Sequence, residues 1–429
     1  MDLGTAKILF PNREALRVVA AAGRISTMGG SALEVYARGG EEERELRLVR
    51  KVLSSGHRSV LEHQTFSIAF DNVSVLVEQF LIEFRLASYT VKSRRYVNFS
   101  DAGFVLPAGA PPRFERRMRA LFALYDRLLA LGVPKEDARF VLPYCFRSNF
   151  YVSLNARELM RVIEAMRFGR GRGCAEIRGL GQSLAEQFEA LYPGVLDAGA
   201  APEATAALPA EYRAGVAAQG HARLLEPATG AGLVAEAMAF AGREMDAAEL
   251  VRDARPRELE FFHAAFRVEN VSLACVTHFA RHRMQSPIFM YAINALARGN
   301  YVLPQSVQAV PEARRAYEDA FREQAQVVRE LLLEGMRPED AAYCAMSGHT
   351  ADLMFSMNGR ELAHFFKLRT CNRAQWEIRA VAWEMLELLR GEERALFAHF
   401  GPSCLVEGRC PEGRLSCGHP YCEPSEAKP

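Results

Sequence analysis

Gly132-Val133-Pro134-Lys135-Glu136-Asp137-Ala138 returns as Gly335-Met336-Arg337-Pro338-Glu339-Asp340-Ala341, an offset of 203 residues. At the same offset Asn155-Ala156-Arg157-Glu158-Leu159 returns as Asn358-Gly359-Arg360-Glu361-Leu362. Glu176-Ile177-Arg178 returns as Glu377-Ile378-Arg379 at 201, and Asn72-Val73-Ser74 as Asn270-Val271-Ser272 at 198. Phe104-Val105-Leu106-Pro107 returns as Tyr301-Val302-Leu303-Pro304 at 197. Colinear matches whose offset drifts slowly are the mark of an internal repeat. The chain is a tandem duplication.

This reading replaces the simplest inference from length, that 429 residues make two or three unlike domains. Copy one spans residues 1–195, copy two 222–400, and a Cys/Gly/Pro-rich tail 401–429. Between the copies, residues 196–221 are rich in Ala, Gly and Pro and read as a linker, with room for one short helix. Hydrophobic content of 49% and charged content of 24% describe an ordinary globular chain. The balance of 53 basic against 52 acidic residues argues against a bulk polyanion partner, nucleic acid included. The N-terminus lacks the basic and apolar regions of a signal peptide, and no apolar run is long enough to span a membrane. Five of the nine cysteines are scattered singly and four crowd the tail, which is not a disulfide framework. The expected compartment is a reducing cytoplasm.

Within copy one, Phe66, Ile68 and Phe70 alternate with small residues, as in a half-buried strand. Ser74 then stands where a side-chain hydroxyl caps a helix running from Val75 to Arg85. Asn155, followed three residues later by Glu158, opens a helix over 157–166 in the manner of a capping box, and Asn358 with Glu361 repeats it. Residues 114–131 and 312–333 are amphipathic with helical period. Each copy is therefore mixed α/β (α+β), helix-rich with a small sheet. Trp376 and the pairs Phe261-Phe262 and Phe365-Phe366 read as core.

The sharpest chemical feature is Arg281-His282-Arg283, expected at the end of a helix, where consecutive side chains fan apart by about 100° each. Two guanidiniums and an imidazole suit phosphate oxygens or an electron-rich planar ligand. Together with Arg85-Leu86-Ala87-Ser88-Tyr89-Thr90-Val91-Lys92-Ser93-Arg94-Arg95-Tyr96 this triplet closely resembles the signature of flavin-dependent thymidylate synthases, Arg-His-Arg followed at a fixed distance by Ser-x-Arg. Glu62-His63, the stretch 136–143 and the stretch 356–379 extend the resemblance over nearly all of both copies. The family normally carries one copy per chain and works as a homotetramer, with sites built where several subunits meet. The resemblance thus implies a homodimer acting as a pseudo-tetramer.

The motif is divided between the copies. Copy one has Glu83-Phe84-Arg85 in place of Arg-His-Arg but keeps Ser93 and Arg95. Copy two keeps Arg281-His282-Arg283, but Tyr291 and Ile293 stand at the Ser and Arg positions. Arg139 aligns with Ala342, whereas the counterpart of Arg369 is Met166 or Phe168, depending on the gap. Ser26, His57, Ser59 and Glu62 align with Met245, Arg255, Arg257 and Glu260. By resemblance, Ser93, Arg94, Arg95, Arg139, His278, Arg281 and Arg369 bind deoxyuridylate (dUMP), and Arg369 stabilises charge developing on the uracil ring. Ser26, His57, Ser59, Glu62, Arg281, His282, Arg283, Asn358 and Arg360 bind FAD, though helix capping alone explains Asn358. His278 stands where the family commonly has Gln. The implied reaction converts dUMP to dTMP with methylenetetrahydrofolate as carbon donor and NADPH as reductant, and uses no protein nucleophile. The complementary losses point to composite sites, one face from each copy.

Two other readings stay open: a catalytically silent flavin- or nucleotide-binding regulatory paralogue, and a flavoenzyme acting on another pyrimidine nucleotide, suggested by His278 and Val91. Gly169-Arg170-Gly171-Arg172-Gly173 reads as a flexible loop replacing a discarded site, or as an anion-binding nest. In the tail, Cys404, Cys410, Cys417, His419 and Cys422 either form a tetrahedral zinc site or are an extension with reduced thiols; their spacings are looser than paired C-x₂-C. No metal is assigned from the sequence.

Overall fold

Phe66, Ile68 and Phe70 do face inward, from the second strand of a four-stranded antiparallel sheet, and copy two repeats the sheet strand for strand. The computed structural model describes residues 4–12, 14–196 and 207–419. Its strands are β1 (Thr5–Leu9), β2 (Thr65–Ser74), β3 (Ala87–Val91), β4 (Arg147–Asn155), β5 (His221–Leu224), β6 (His263–Ser272), β7 (Gln285–Phe289) and β8 (Thr350–Asn358). One sheet runs β1-β2-β4-β3 and the other β5-β6-β8-β7. The fold class is the mixed α/β, helix-rich one expected from the residue pattern.

The same local device ends β2 and β6. The pairing of β2 with β4 slips between Phe70 and Val73, and that of β6 with β8 between Val268 and Val271. At these bulges Asn72 (φ 55°) and Asn270 (φ 56°) take the left-handed conformation, which Asn tolerates better than most side chains. Asn72 N–H donates to Asn149 Oδ1 (2.7 Å), and Asn270 N–H to Asp352 Oδ1 (3.1 Å). Ser74 and Ser272 then cap the helices Val75–Ile82 and Leu273–Ala280 by accepting from Val77 N–H and Cys275 N–H. Such a cap contributes about 1 kcal/mol. Each serine also donates its N–H and hydroxyl to a buried carboxylate, Glu176 or Glu377, at the start of a long helix packed on its own sheet.

The first capped helix is shorter than the expected 75–85. It ends at Ile82 because Tyr89, on β3, donates its hydroxyl to the carbonyls of Leu81 (2.6 Å) and Phe84 (3.0 Å). Helix and strand thereby close on one tight turn. Asn155 and Asn358 cap the helices Ala156–Arg167 and Gly359–Arg369 as expected, but the Glu half of the capping box turns elsewhere, Glu158 to Arg161 and Glu361 to His282. The long amphipathic helices run Pro112–Ala130 and Pro311–Leu333.

The chain divides into two compact units, and their composition is not a simple halving. One comprises residues 1–120, 143–208 and 330–344; the other 121–142, 209–329 and 345–429. The two copies of the Glu-Asp-Ala segment are therefore exchanged, each lying in the unit that holds the other copy's sheet. In the first unit Cys145 N–H donates to Tyr343 O (3.2 Å); in the second, Gly348 N–H donates to Phe140 O (2.8 Å).

The core of the first unit gathers Phe66, Ile68, Phe70, Leu184 and Phe188, with Phe70 stacked on Phe150 at 4.9 Å. In the second, Phe279 stacks on Phe365 at 5.6 Å and lies beside Phe355. Phe262, Phe365 and Phe366 are fully buried as expected, but Phe261 is 53% exposed, so that part of the core assignment is corrected. It lies at the last residue of the short 3₁₀ turn Arg257–Phe261, which buries Leu259 and leaves Phe261 on the outer side. Of the linker, residues 207–220 contain no helix, and 197–206 lie outside the described residues. Gly215 runs backbone to backbone against Gly299, where a Cβ would come within 2.0 Å of the Gly299 carbonyl carbon.

Candidate functional site

The helix Leu273–Ala280 buries every one of its residues and stops one residue before the Arg-His-Arg triplet. Arg281 is its C-cap and Arg283 lies in the following turn, so the triplet does not fan around a helix as expected. The turn sends Arg281 and Arg283 outward and His282 inward, where it is 3% exposed. Facing it is the helix Gly359–Arg369, on which Glu361, Phe365 and Arg369 recur every four residues and form one stripe. His282 meets all three. Its Nδ1 lies 3.1 Å from Glu361 Oε1, its ring meets Phe365 edge-on at 4.8 Å, and Arg369 Nε donates to its Nε2 at 2.9 Å. Arg369 also reaches the carbonyl of His278 with Nη2, at 3.4 Å.

These contacts define the protonation state of the imidazole. A guanidinium only donates, so Nε2 must carry the lone pair and Nδ1 the proton, which points at Glu361. Electrostatics agree: burial, then the charges of Arg369 and His364, push the His282 pKa well below the ordinary imidazole range. Glu361 moves the other way, raised chiefly by burial and drawn back by His364 and Arg283. The result is a carboxylate–neutral imidazole–guanidinium array that fixes the direction of the Arg369 fork.

Arg139, although from copy one, belongs to this same unit because of the segment exchange. It is 3% exposed, and its Nε donates to Glu136 O at 2.9 Å. Its charge and that of Arg369 both act on Cys275, on the helix Leu273–Ala280. Asp137, two residues before Arg139, accepts from Trp376 Nε1 (2.8 Å) and Ser306 Oγ (2.5 Å), which secures the segment. No thiol offers itself as a nucleophile there: burial pushes Cys275 well above the ordinary thiol range. In the other unit burial raises Cys174 to about 11 and Cys344 to about 12.

The remaining expected residues fall as follows. Asn358 is a helix cap. Arg360 pairs with Glu260 (2.6 Å) in the second unit, and in the first Glu62 is paired with Arg157 (2.6 Å), the same contact in both copies. Ser26, His57 and Ser59 are exposed in the first unit. There Arg95 N–H donates to Ser93 Oγ at 3.4 Å. Arg94 turns inward instead, its Nη2 donating to Glu78 at 2.7 Å with both side chains buried, while Ser148 Oγ holds the other Glu78 oxygen. Arg94, expected at dUMP alongside Ser93 and Arg95, is thus paired with Glu78, a contact that holds the segment after β3 in place.

The first unit also reveals what replaced the array. Phe80 and Glu83 stand at the positions of His278 and Arg281, both at the offset of 198. Arg170 donates through Nη2 to Phe80 O at 3.0 Å, as Arg369 does to His278 O. Its other nitrogen is bonded to Glu83, and its guanidinium lies over the rings of Phe80 (4.5 Å) and Phe84 (5.1 Å). Arg170 is therefore the spatial counterpart of Arg369, rather than Met166 or Phe168, and it is neutralised from within. Nor is the Gly169–Gly173 segment a loose loop or an anion nest: a Cβ on Gly171 would come within 2.5 Å of Ile177, and Arg170 is an anchor. From the sequence Glu361 was read only as half of a capping box, Glu83 only as a departure from Arg-His-Arg, and Arg170 only as part of a loop or anion nest. The four-residue spacing of Glu361, Phe365 and Arg369 was the one available signal.

Among the described residues, no helix is long and apolar enough to cross a membrane. A family profile described as thymidylate synthase complementing protein matches the chain in two segments, residues 7–194 and 235–392. The chain is 39% identical over 163 residues to the flavin-dependent thymidylate synthase of Geobacter sulfurreducens, covering 37% of this chain and 70% of that protein. It is 36% identical over 166 residues to that of Pyrococcus abyssi, covering 37% and 68%. Among solved structures, thymidylate synthase X from Helicobacter pylori, determined with FAD and dUMP, is 17% identical with a TM-score of 0.37, covering 45% of this chain and 97% of that one.

Proposed function

The chain belongs to the thymidylate synthase complementing protein family, as two tandem copies, and from that membership we propose that it is an FAD-dependent thymidylate synthase converting dUMP to dTMP. Methylenetetrahydrofolate is the carbon donor and NADPH the reductant. The observation that carries the proposal is the Glu361–His282–Arg369 array, kept in copy two and placed in one unit with Arg281 and with Arg139 of copy one. The flavin, when bound, supplies the hydride chemistry, and the protein binds, orients and excludes water.

The donor sets suit the ligands. The Ser93 hydroxyl and the Arg95 and Arg139 guanidiniums match a phosphate dianion through charge-assisted, bidentate bonds. Arg281, Arg283 and the exposed Ser26, His57 and Ser59 offer donors of the kind a pyrophosphate and ribitol chain require, with Arg360 and Glu62 at the ends of their own ion pairs. Arg369, held by His282, stabilises negative charge developing on the uracil ring, an electrostatic contribution with no covalent step. In this reading each site joins a copy-one face to a copy-two face, and two chains form a pseudo-tetramer of four copies. The Glu83–Arg170 pair supports the idea that the remaining quasi-equivalent site is silent. The same pair also favours a rival reading, a flavin-binding regulatory paralogue.

Complementation of a thymidine-requiring strain tests the proposal, with Arg95→Ala and Arg281→Ala alongside. Rescue by the wild type and loss with either substitution is expected. A wild type that binds FAD but fails to rescue overturns the synthase reading in favour of the regulatory one. If only one substitution matters, composite sites are refuted.

A further inference from the structure

Four cysteines from distant parts of the sequence line one small cavity in the second unit. They are Cys371, two residues after Arg369, Cys404 on the short helix Ser403–Glu407, and Cys410 and Cys417 on the tail that follows. His419 stands at the same cavity, whose volume of about 20 Å³ is room for a single water-sized guest. Cys371 read in the sequence as one of the scattered thiols; the fold brings it to the tail, while Cys422, grouped with the tail thiols in the sequence, lies outside the described residues. No disulfide joins these four to one another.

A second feature is independent of the cavity. Arg373 N–H donates to Cys371 Sγ at 3.5 Å, and His419 N–H donates to Cys417 Sγ at 3.4 Å. Each sulfur thus accepts from the backbone two residues on, and Cys417 also receives Asn372 Nδ2 at 3.8 Å. The turn at Cys417 depends on Gly418, whose φ of 77° suits glycine. A thiol is a poor acceptor and a thiolate a good one, so donors aimed at sulfur are the outer-sphere contacts that metal-bound thiolates use.

We propose that Cys371, Cys404, Cys410 and Cys417 bind one structural zinc ion. Four thiolates are a complete tetrahedral set for zinc, with no open position for chemistry. Among the described residues no group of three His, Cys, Asp or Glu side chains is placed so as to hold an ion. The proposal therefore requires the four thiols to draw together around the cavity and to release their protons when the ion binds. The site ties the tail to the loop that follows Arg369. That loop is already fastened by Trp383 Nε1 to Thr370 O (3.1 Å) and by Arg379 to Asn372 O (3.0 Å), and Lys367 meets Glu407 at 3.3 Å. The ion would fix the C-terminal end of the helix that carries Arg369.

The test uses the full wild-type chain, purified reduced and without chelator from zinc-supplemented medium, so it does not depend on activity. Elemental analysis should find about one zinc per chain. Iodoacetamide labelling read by peptide mass spectrometry should then spare Cys371, Cys404, Cys410 and Cys417 in the loaded protein and modify all four after chelation, with His419→Ala keeping its zinc. Cobalt(II) added to the stripped chain should give a thiolate charge-transfer band that saturates at one equivalent. A wild type that carries no zinc and takes up no cobalt overturns the proposal. So does equal labelling of Cys371 with and without metal, which would leave the ion to the tail alone.

Discussion

Two substitutions of His282 separate its two bonds. In His282→Asn, the amide NH₂ takes the place of Nδ1–H and still donates to Glu361, but nothing accepts from Arg369 Nε. In His282→Gln, the side-chain carbonyl reaches the place of Nε2 and still accepts from Arg369, while Glu361 loses its donor. The native distances of 2.9 Å and 3.1 Å make both genuine hydrogen bonds, in a pocket where His282 is 3% exposed. Leaving a buried partner unsatisfied costs about 1–3 kcal/mol. At about 1.4 kcal/mol per tenfold, His282→Asn should lower kcat/KM for dUMP by roughly 10- to 100-fold, because the Arg369 fork loses its direction. His282→Gln should lose less, since the Glu361 carboxyl, already raised by burial, can take up a proton once its donor is gone. The assay is dTMP formation at saturating co-substrates, with thermal unfolding and FAD binding measured in parallel. Equal loss of kcat/KM in both variants, or an unimpaired His282→Asn, would refute the view that His282 acts by holding Arg369.

The same logic covers other perturbations. Arg170→Ala should destabilise the first unit by about 3 kcal/mol, because it strands the largely buried Glu83, yet leave dTMP formation near the wild-type rate; Arg369→Ala should reduce it roughly 100-fold or more. Steady-state kinetics beside chemical denaturation distinguish the two. Glu377, pushed up to about 7 by burial, holds its proton in the fold at a pH where the unfolded chain has lost it. Its contribution to stability is present below about 4.5, the unfolded value, and is lost as pH rises through about 7. Glu377→Gln should flatten that part of the stability–pH curve, and denaturation at a series of pH values checks it. His282 has the opposite sign: its depressed pKa contributes stability above the ordinary imidazole range that is lost as pH falls toward the lowered value, and His282→Gln should remove that slope.

What the sequence disclosed was what local physics decides. Ser74, Asn155 and Asn358 announced helix starts because a short polar side chain answers the N–H groups two or three residues on. The period-2 run at Phe66 announced a strand because alternate side chains share a face. Doubling each signal gave the duplication. The contacts that were hidden join residues far apart in the chain. Arg170 sits 199 residues before Arg369, off the colinear drift from 203 to 201, so alignment alone could not pair them. Arg94 read as a neighbour in function of Ser93 and Arg95, and only the fold shows its pairing with the buried Glu78. Cys371 and the tail thiols meet through tertiary structure, and no spacing rule covers that.

The exchanged segments have a consequence for how such a chain can be divided. Leu142 O, written in the first half, accepts from Ser347 N–H at 2.9 Å, and Tyr343 O, written in the second, accepts from Cys145 N–H at 3.2 Å. Each folded unit therefore needs sequence from both halves. Chain breakage between the copies would still leave each unit built from both fragments. Neither half expressed alone is therefore expected to complete its unit, and co-expression of the two halves should restore both.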